Sequence, residues 1–159
     1  SVSELSKKVG YVFQNPDHQI FSSSILEEVS FGLRNLGLSQ DEIDERVSWA
    51  LDFVGLRGRE HEHPFKLSKA ERQMLAMSML LMRNPKLVLL DEPTTGLSPK
   101  MVSVVLSKSA ELRDRLGITV VLVEQNAKKA LEIGDKVYVL VSGKNKYEGD
   151  AKDLLNNPE

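Results

Sequence analysis

The stretch Leu87-Val-Leu-Leu-Asp-Glu-Pro-Thr-Thr-Gly-Leu-Ser-Pro99 joins four consecutive apolar residues to two acids and a turn-rich segment. The apolar run is too short for a helix and predicts a strand buried on both faces of a parallel sheet. Asp91 and Glu92 follow at the carboxyl end of that strand, where open α/β sheets bind ligands. The prolines and the glycine that come next predict a loop before another helix.

The two acids allow a functional and a structural interpretation. In the functional one, Asp91 holds Mg²⁺ directly or through water, and Glu92 orients or deprotonates a water that attacks a phosphate. In the structural one, an ordinary buried strand ends in two solvated acids. The strand alone does not separate these interpretations, so the other motifs of the chain must.

Composition narrows the class of protein. The chain has 159 residues, enough for one domain with a core, and its hydrophobic fraction of 41% and charged fraction of 28% are typical of globular proteins. A net charge of −2 offers no basic surface for nucleic acid, so we expect no nucleic-acid partner. The absence of cysteine excludes disulfides and thiolate metal sites.

The order of several motifs resembles the nucleotide-binding domain of ABC ATPases. Asp91 and Glu92 lie where that family has the end of its Walker B strand and its catalytic glutamate. The other matching segments are the Q-loop-like Val12-Phe-Gln-Asn-Pro16, the signature-like Leu67-Ser-Lys-Ala-Glu-Arg-Gln73, the D-loop-like Thr95-Gly-Leu-Ser98 and the switch-like Val123-Glu-Gln-Asn126. Together they cover nearly the whole chain.

The resemblance implies an α/β fold, a partial P-loop NTPase (RecA-like) parallel sheet with an inserted α-helical ABC subdomain. Residues 1–23 would form a strand and the Q-loop, residues 24–84 the helical signature subdomain, and residues 85–159 the second half of the core with Walker B, D-loop and switch loop. A P-loop ends in Gly-Lys-Ser/Thr, and the only Gly-Lys pair here, Gly143-Lys144, lies near the end between two strand-like runs. We therefore expect a fragment that lacks the P-loop half and is inactive alone.

The resemblance also implies site residues, ATP and Mg²⁺. Glu92 would be the catalytic base, Asp91 a Mg²⁺ contact and Gln14 a sensor that contacts the metal or the water. Gln125, in the switch position, would contact the γ-phosphate. Ser68 would reach the nucleotide bound by a second ABC domain, so a homodimer or heterodimer is expected.

The run Gln14 to Phe21 resembles the energy-coupling-factor and cobalt-type branch, which implies uptake of a metal ion or vitamin and a transmembrane partner subunit. The protein would then be peripheral on the cytoplasmic face of the cell membrane. Val123-Glu-Gln-Asn126 is similar instead to branched-chain amino-acid transporters, which stays an alternative. A soluble ABC protein of translation or DNA repair is a third possibility.

The signature departs from the family pattern. Lys69 and Ala70 replace the two glycines that follow Ser68, and Glu71 replaces the glutamine. Side chains then crowd a backbone that should approach phosphate, and Glu71 adds an anion beside an anion. The spacing of Ser68 and Glu71 also predicts a capping box. The alternative function is a degenerate, non-catalytic domain that pairs with an active ATPase.

Several local predictions complete the analysis. Ser39 and Glu42 predict a second capping box, and Ser98 before a proline predicts a helix N-cap. The run 118–123 predicts another buried strand. A P-loop strand would lie between strands that the chain retains, so its absence predicts a dimer, a swapped assembly or marginal stability.

Overall fold

The computed structural model describes residues 8–34 and 36–156. Within these residues three strands form a parallel sheet and two more form a separate antiparallel hairpin, with six α-helices around them. The strands are β1 (Val9–Val12), β2 (Leu87–Asp91), β3 (Thr119–Val123), β4 (Lys136–Val141) and β5 (Lys144–Asp150). The helices are α1 (Ile25–Arg34), α2 (Gln40–Val54), α3 (Lys69–Leu81), α4 (Pro99–Asp114), α5 (Ala127–Ile133) and α6 (Ala151–Asn156).

The sheet has the order β1-β2-β3, with β2 in the centre. In its register Tyr11 lies beside Leu89, and Leu89 lies beside Val121. All three strands therefore end at one edge of the sheet, where the segments that follow them meet. This arrangement confirms the predicted α/β fold with a parallel sheet.

Three helices lie between β1 and β2 in the chain, where the helical subdomain is predicted. The last of the three, α3, packs against both of the others and against β1. Gly10 in β1 allows this close approach, because a Cβ there would lie 3.0 Å from the Leu80 side chain. Residues 1–7 and 157–159 of the predicted segments lie outside the described residues, and the boundaries 1–23, 24–84 and 85–159 stay predictions.

Burial of the sheet differs from the sequence prediction. In β2 only Val88 and Leu90 are buried, and the alternate residues are half-buried. In β3 no residue is buried, and Val121 and Val123 are 43% and 46% exposed. The prediction that both strands are buried on two faces is therefore wrong. One face packs on the helices, and the other is half-buried along β2 and exposed along β1 and β3.

Helix ends follow local sequence closely. Both predicted capping boxes form, at Ser39 with Glu42 and at Ser68 with Glu71. Ser98 does occupy the N-cap of α4, but its side chain makes no capping hydrogen bond, so that part of the prediction is wrong. Pro99 at the first helical position needs no donor and begins the helix by itself.

The sheet and the hairpin are not joined. β3 pairs with β2 only, and β4 pairs with β5 only, so among the described residues no strand hydrogen-bonds the outer edge of β3. The expectation that a P-loop strand lies between the retained strands stays a prediction. None of the helices in the described ranges is long and apolar enough to cross a membrane.

Candidate functional site

The carboxylate of Glu92 is the centre of a cluster at the carboxyl ends of the strands. Gln14 Nε2 donates to its Oε2 at 2.8 Å, and Gln125 Nε2 donates to its Oε1 at 2.8 Å. Thr95 Oγ1 donates to Oε2 at 3.0 Å. Gln14 and Gln125, two predicted site residues from separate loops, therefore meet at the carboxylate of a third, Glu92.

The backbone holds Glu92 in an unusual conformation. Its φ is +44°, in the left-handed region that residues other than glycine rarely adopt. Its amide donates to the Val123 carbonyl at 2.8 Å, which extends the pairing of β2 with β3 by one residue. Backbone strain of this kind is found at functional sites, where the surrounding structure maintains it. The strained turn directs the carboxylate toward Gln14 and Gln125.

Asp91 faces a different neighbour. Tyr11 Oη donates to Asp91 Oδ2 at 2.7 Å, from the adjacent strand on the open face of the sheet. This hydrogen bond to a carboxylate raises the pKa of Tyr11 above its ordinary value. Tyr11 also packs its ring 4.7 Å from that of Phe13, measured between ring centroids. Asp91 is therefore oriented by β1, not by the Glu92 cluster.

The loop after Glu92 is held from two sides. The amide and hydroxyl of Thr94 donate to Glu124 Oε1 at 3.0 and 2.6 Å. Lys69 Nζ donates to the Thr95 carbonyl at 2.7 Å, from the first residue of α3. The residue that replaces a signature glycine therefore binds the D-loop-like turn of its own chain.

Ser68 does not join the Glu92 cluster. Its hydroxyl donates to Glu71 Oε2 at 2.8 Å, and Glu71 Oε1 pairs with Arg59 Nη1 at 2.5 Å. Burial opposes ionisation of Glu71, but hydrogen bonds from the amide and hydroxyl of Ser68 and from Arg59 outweigh it and lower its pKa. The N-terminus of α3 is thus already satisfied by a carboxylate of its own helix.

Glu71 gives a prediction about pH. A carboxyl group whose pKa is lowered by folding adds stability above its unfolded pKa, ordinarily 4.5, and that stability is lost as pH falls through the folded pKa. We expect Glu71→Gln to flatten the fall in the free energy of unfolding below about pH 4.5, measured by urea unfolding at a series of pH values. An unchanged slope in Glu71→Gln would contradict the assignment.

The residues fit a metal–nucleotide complex better than a bare metal ion. In the described ranges no group of three or more histidine, aspartate or glutamate side chains could hold a metal. Carboxylate and amide oxygens, such as those of Asp91 and Gln14, suit Mg²⁺ that keeps waters and takes its other ligands from phosphates. This donor set is compatible with Mg²⁺ that is bound together with a nucleotide.

Sequence reasoning missed four contacts around the site, those of Tyr11, Thr95, Glu124 and Lys69. Tyr11 could have been found, because it is the next-to-last residue of β1 and shares a face with Asp91. Thr95 and Glu124 lie beside predicted site residues, but their partners are set by loop geometry. No local pattern indicates that Lys69 reaches across to Thr95.

Known proteins resemble this chain along its length. The family model described as ABC transporter matches residues 1–95. An ABC transporter ATP-binding protein of Pyrococcus furiosus is 48% identical over 155 residues, and one of Pyrococcus horikoshii is 45% identical over 155. Each alignment covers 98% of this chain and 59% of the relative. The chain therefore spans about six tenths of the length of these relatives.

Two solved structures share the fold. CbiO1 of Clostridium perfringens, part of the ABC transporter complex CbiONQ, has a TM-score of 0.93 and 33% identity, with 99% of this chain and 62% of that chain covered. The ATP-binding cassette MJ0796, a dimer bound to ADP and phosphate, has a TM-score of 0.79 and 27% identity, with 95% and 68% covered. The family model, which matches more than half of the chain, and these shared folds show that the chain belongs to the ATP-binding domains of the ABC transporter family.

Proposed function

We propose that this chain supplies the hydrolytic part of an ABC importer's ATPase subunit. The observation that carries the proposal is the Glu92 carboxylate at the end of β2, held by the side-chain amides of Gln14 and Gln125. A carboxylate with fixed donors at the carboxyl edge of a parallel sheet is suited to orient a water and accept its proton.

Each cluster residue has a distinct role in this proposal. Glu92 takes the proton of the attacking water and is the catalytic base. Gln125, whose amide can both donate and accept, changes its partner from Glu92 to the γ-phosphate. Gln14, which donates to Glu92 here, would be the residue that contacts the metal or the water.

ATP and Mg²⁺ would be the bound groups. Asp91 would hold Mg²⁺ through a carboxylate oxygen and Gln14 through its amide oxygen. Held there, Mg²⁺ would supply positive charge against that which develops on the transferred phosphate. The Tyr11 hydroxyl keeps Asp91 oriented at the strand end, since it donates to Oδ2 at 2.7 Å.

The P-loop, which binds the phosphates, would come from polypeptide outside these 159 residues. Two observations support this part of the proposal. The outer edge of β3 is unpaired within the described residues, and the open face of the sheet exposes Val121 and Val123. A further strand would pair with this edge, and polypeptide connected to it would cover the open face, as both faces of a parallel sheet are normally covered.

We also propose two protein partners. A second ABC domain is supported by the dimeric MJ0796 structure, and a transmembrane subunit by the place of CbiO1 in CbiONQ. Phe21 and Phe31 form an exposed edge-to-face pair with ring centroids 4.9 Å apart, just beyond the Gln14 loop. This pair offers the membrane subunit an apolar contact. The protein would then lie on the cytoplasmic face of the membrane.

Within importers we favour the energy-coupling-factor type, for a metal ion or a vitamin. The Gln14-to-Phe21 run and the likeness to CbiO1 support it. The branched-chain amino-acid type, suggested by Val123-Glu-Gln-Asn126, is the alternative within transporters.

A second candidate function is a non-catalytic ABC domain that pairs with an active one. The observation that favours it is the end of α3, where the Ser68 hydroxyl is bound by Glu71 and Lys69 is bound to Thr95. An anion already occupies the helix N-terminus that should meet phosphate. In this case Glu92 could still act, while Ser68 contributes nothing to the partner's nucleotide.

The experiment compares the 159-residue chain with a chimaera to which a P-loop segment ending in Gly-Lys-Ser/Thr is joined. We expect calorimetry to detect ATP binding and a phosphate-release assay to detect hydrolysis only in the chimaera, because the P-loop provides most phosphate contacts. The matched control is the chimaera with its P-loop lysine changed to alanine, which should lose binding.

The outcomes separate the candidates. Tight ATP binding by the chain alone would contradict the need for an external P-loop. A chimaera that binds ATP but does not hydrolyse it would favour the non-catalytic domain.

A further inference from the structure

A fully buried glutamine on α3 donates hydrogen bonds through its side-chain amide to the loop that carries Gln14. Gln73 is 0% exposed, and its Nε2 donates to the Gln14 carbonyl at 3.0 Å and to the Phe13 carbonyl at 3.4 Å. Its Oε1 is buried without a hydrogen-bond partner in the described part of the chain. Burying an amide with one group unpaired is costly, so packing alone does not explain a glutamine here.

The same loop is held at two further points. Arg72 Nε lies 2.6 Å from Asp17 Oδ1, one residue before Gln73 on α3. Gln19 folds back on β1, where its Oε1 accepts from the Phe13 amide at 3.1 Å. Gln73 is the member of this set that binds the carbonyl of Gln14 itself. The backbone of Gln14 is thus fixed by α3, while its side chain reaches Glu92 at 2.8 Å.

We propose that Gln73 is a positioning residue for the hydrolytic site. By holding the carbonyls of Phe13 and Gln14, it sets where the Gln14 amide meets the carboxylate of Glu92. This inference rests on the proposed ATPase function for its catalytic consequence. The positioning itself is a property of the 159-residue chain and is tested there first.

The first test is NMR of the side-chain amides in the 159-residue chain. Gln73→Leu keeps a side chain of similar size but removes both N–H donors. In this variant we expect the side-chain amide resonances of Gln14 to shift and its amide hydrogens to exchange with solvent faster. The matched control is Ser78→Ala, because Ser78 is also fully buried on α3 but bonds only the Leu75 carbonyl of its own helix. Gln14 resonances that stay in place in Gln73→Leu, or that move equally in Ser78→Ala, would overturn the proposal.

A measurement on the unsubstituted chain covers the case in which Gln73→Leu does not fold. The side-chain amide hydrogens of Gln73 should exchange slowly, because both are bonded and buried. Fast exchange of these hydrogens would overturn the proposal without any variant.

The catalytic consequence is read in the chimaera that supplies the P-loop. We expect Gln73→Leu to lower kcat about tenfold with little change in KM. The substitution removes the neutral hydrogen bonds from Gln73 to the carbonyls of Phe13 and Gln14, which affects the orientation of the water and not the binding of ATP. If Gln73→Leu shifts the Gln14 resonances but leaves kcat unchanged, the proposed effect of Gln73 on catalysis is wrong. A chimaera with no activity would refute the proposed function, and the NMR comparison would still decide the positioning.

Discussion

Glu92→Gln in the P-loop-completed chimaera is expected to lower the rate of ATP hydrolysis by ~10²–10⁴-fold, the usual contribution of a positioned general base. The substituted amide keeps the size of the side chain but loses the ability to accept a proton. Gln14 and Gln125 donate to two different oxygens of Glu92, and an amide offers only one oxygen. ATP binding should persist, because Glu92 is not proposed to hold the nucleotide.

Phosphate release and calorimetric ATP affinity, measured on the same preparation, check this result. Glu132→Gln, an exposed carboxylate on α5, is the matched control and should hydrolyse ATP at the parent rate. If Glu92→Gln turned over ATP normally, Glu92 would not be the base and the non-catalytic domain would be favoured.

Leu75→Ala is expected to reduce the free energy of unfolding by about 2–5 kcal/mol, the cost of removing a large apolar side chain from a packed core. Leu75 is 0% exposed on α3, the helix that contacts α1, α2 and β1. The cavity would therefore weaken the contact between the helices and the strand that leads to Gln14. Urea unfolding followed by circular dichroism measures the change.

The control for this substitution is Leu36→Ala. Leu36 is 53% exposed after α1, so its truncation should change stability by no more than about 0.5 kcal/mol. A loss below about 1 kcal/mol in Leu75→Ala would show that α3 is not the packing centre of the described fold.

Much of the site could be predicted because it depends on parallel topology. Gln14, Glu92 and Gln125 each follow a strand, and parallel strands that share a sheet end at one edge. The capping boxes at Ser39 and Ser68 depend only on residues three apart in the chain, so they too could be predicted from the sequence. The catalytic roles of these residues stay predictions.

The remainder depends on contacts that no local pattern encodes. The run 118–123 has the apolar composition of a buried strand, but β3 is exposed because nothing described here pairs with its outer edge. Burial of a strand is decided by its neighbours, not by its own residues. In the same way, Gln73 and Lys69 look like ordinary helix residues until the fold brings them to loops distant in the chain.

The hydrogen bond from Lys69 to the Thr95 carbonyl changes how the altered signature should be understood. A Cβ added at Gly96 would lie 3.3 Å from the Lys69 ammonium, so the lysine and the glycine turn fit each other. Reverting Lys69 to the glycine usual in the family would open space at the helix end and at the same time untether the loop that follows Glu92. A Lys69→Gly substitution would therefore gain room at the start of α3 and lose the hydrogen bond that holds the loop after Glu92.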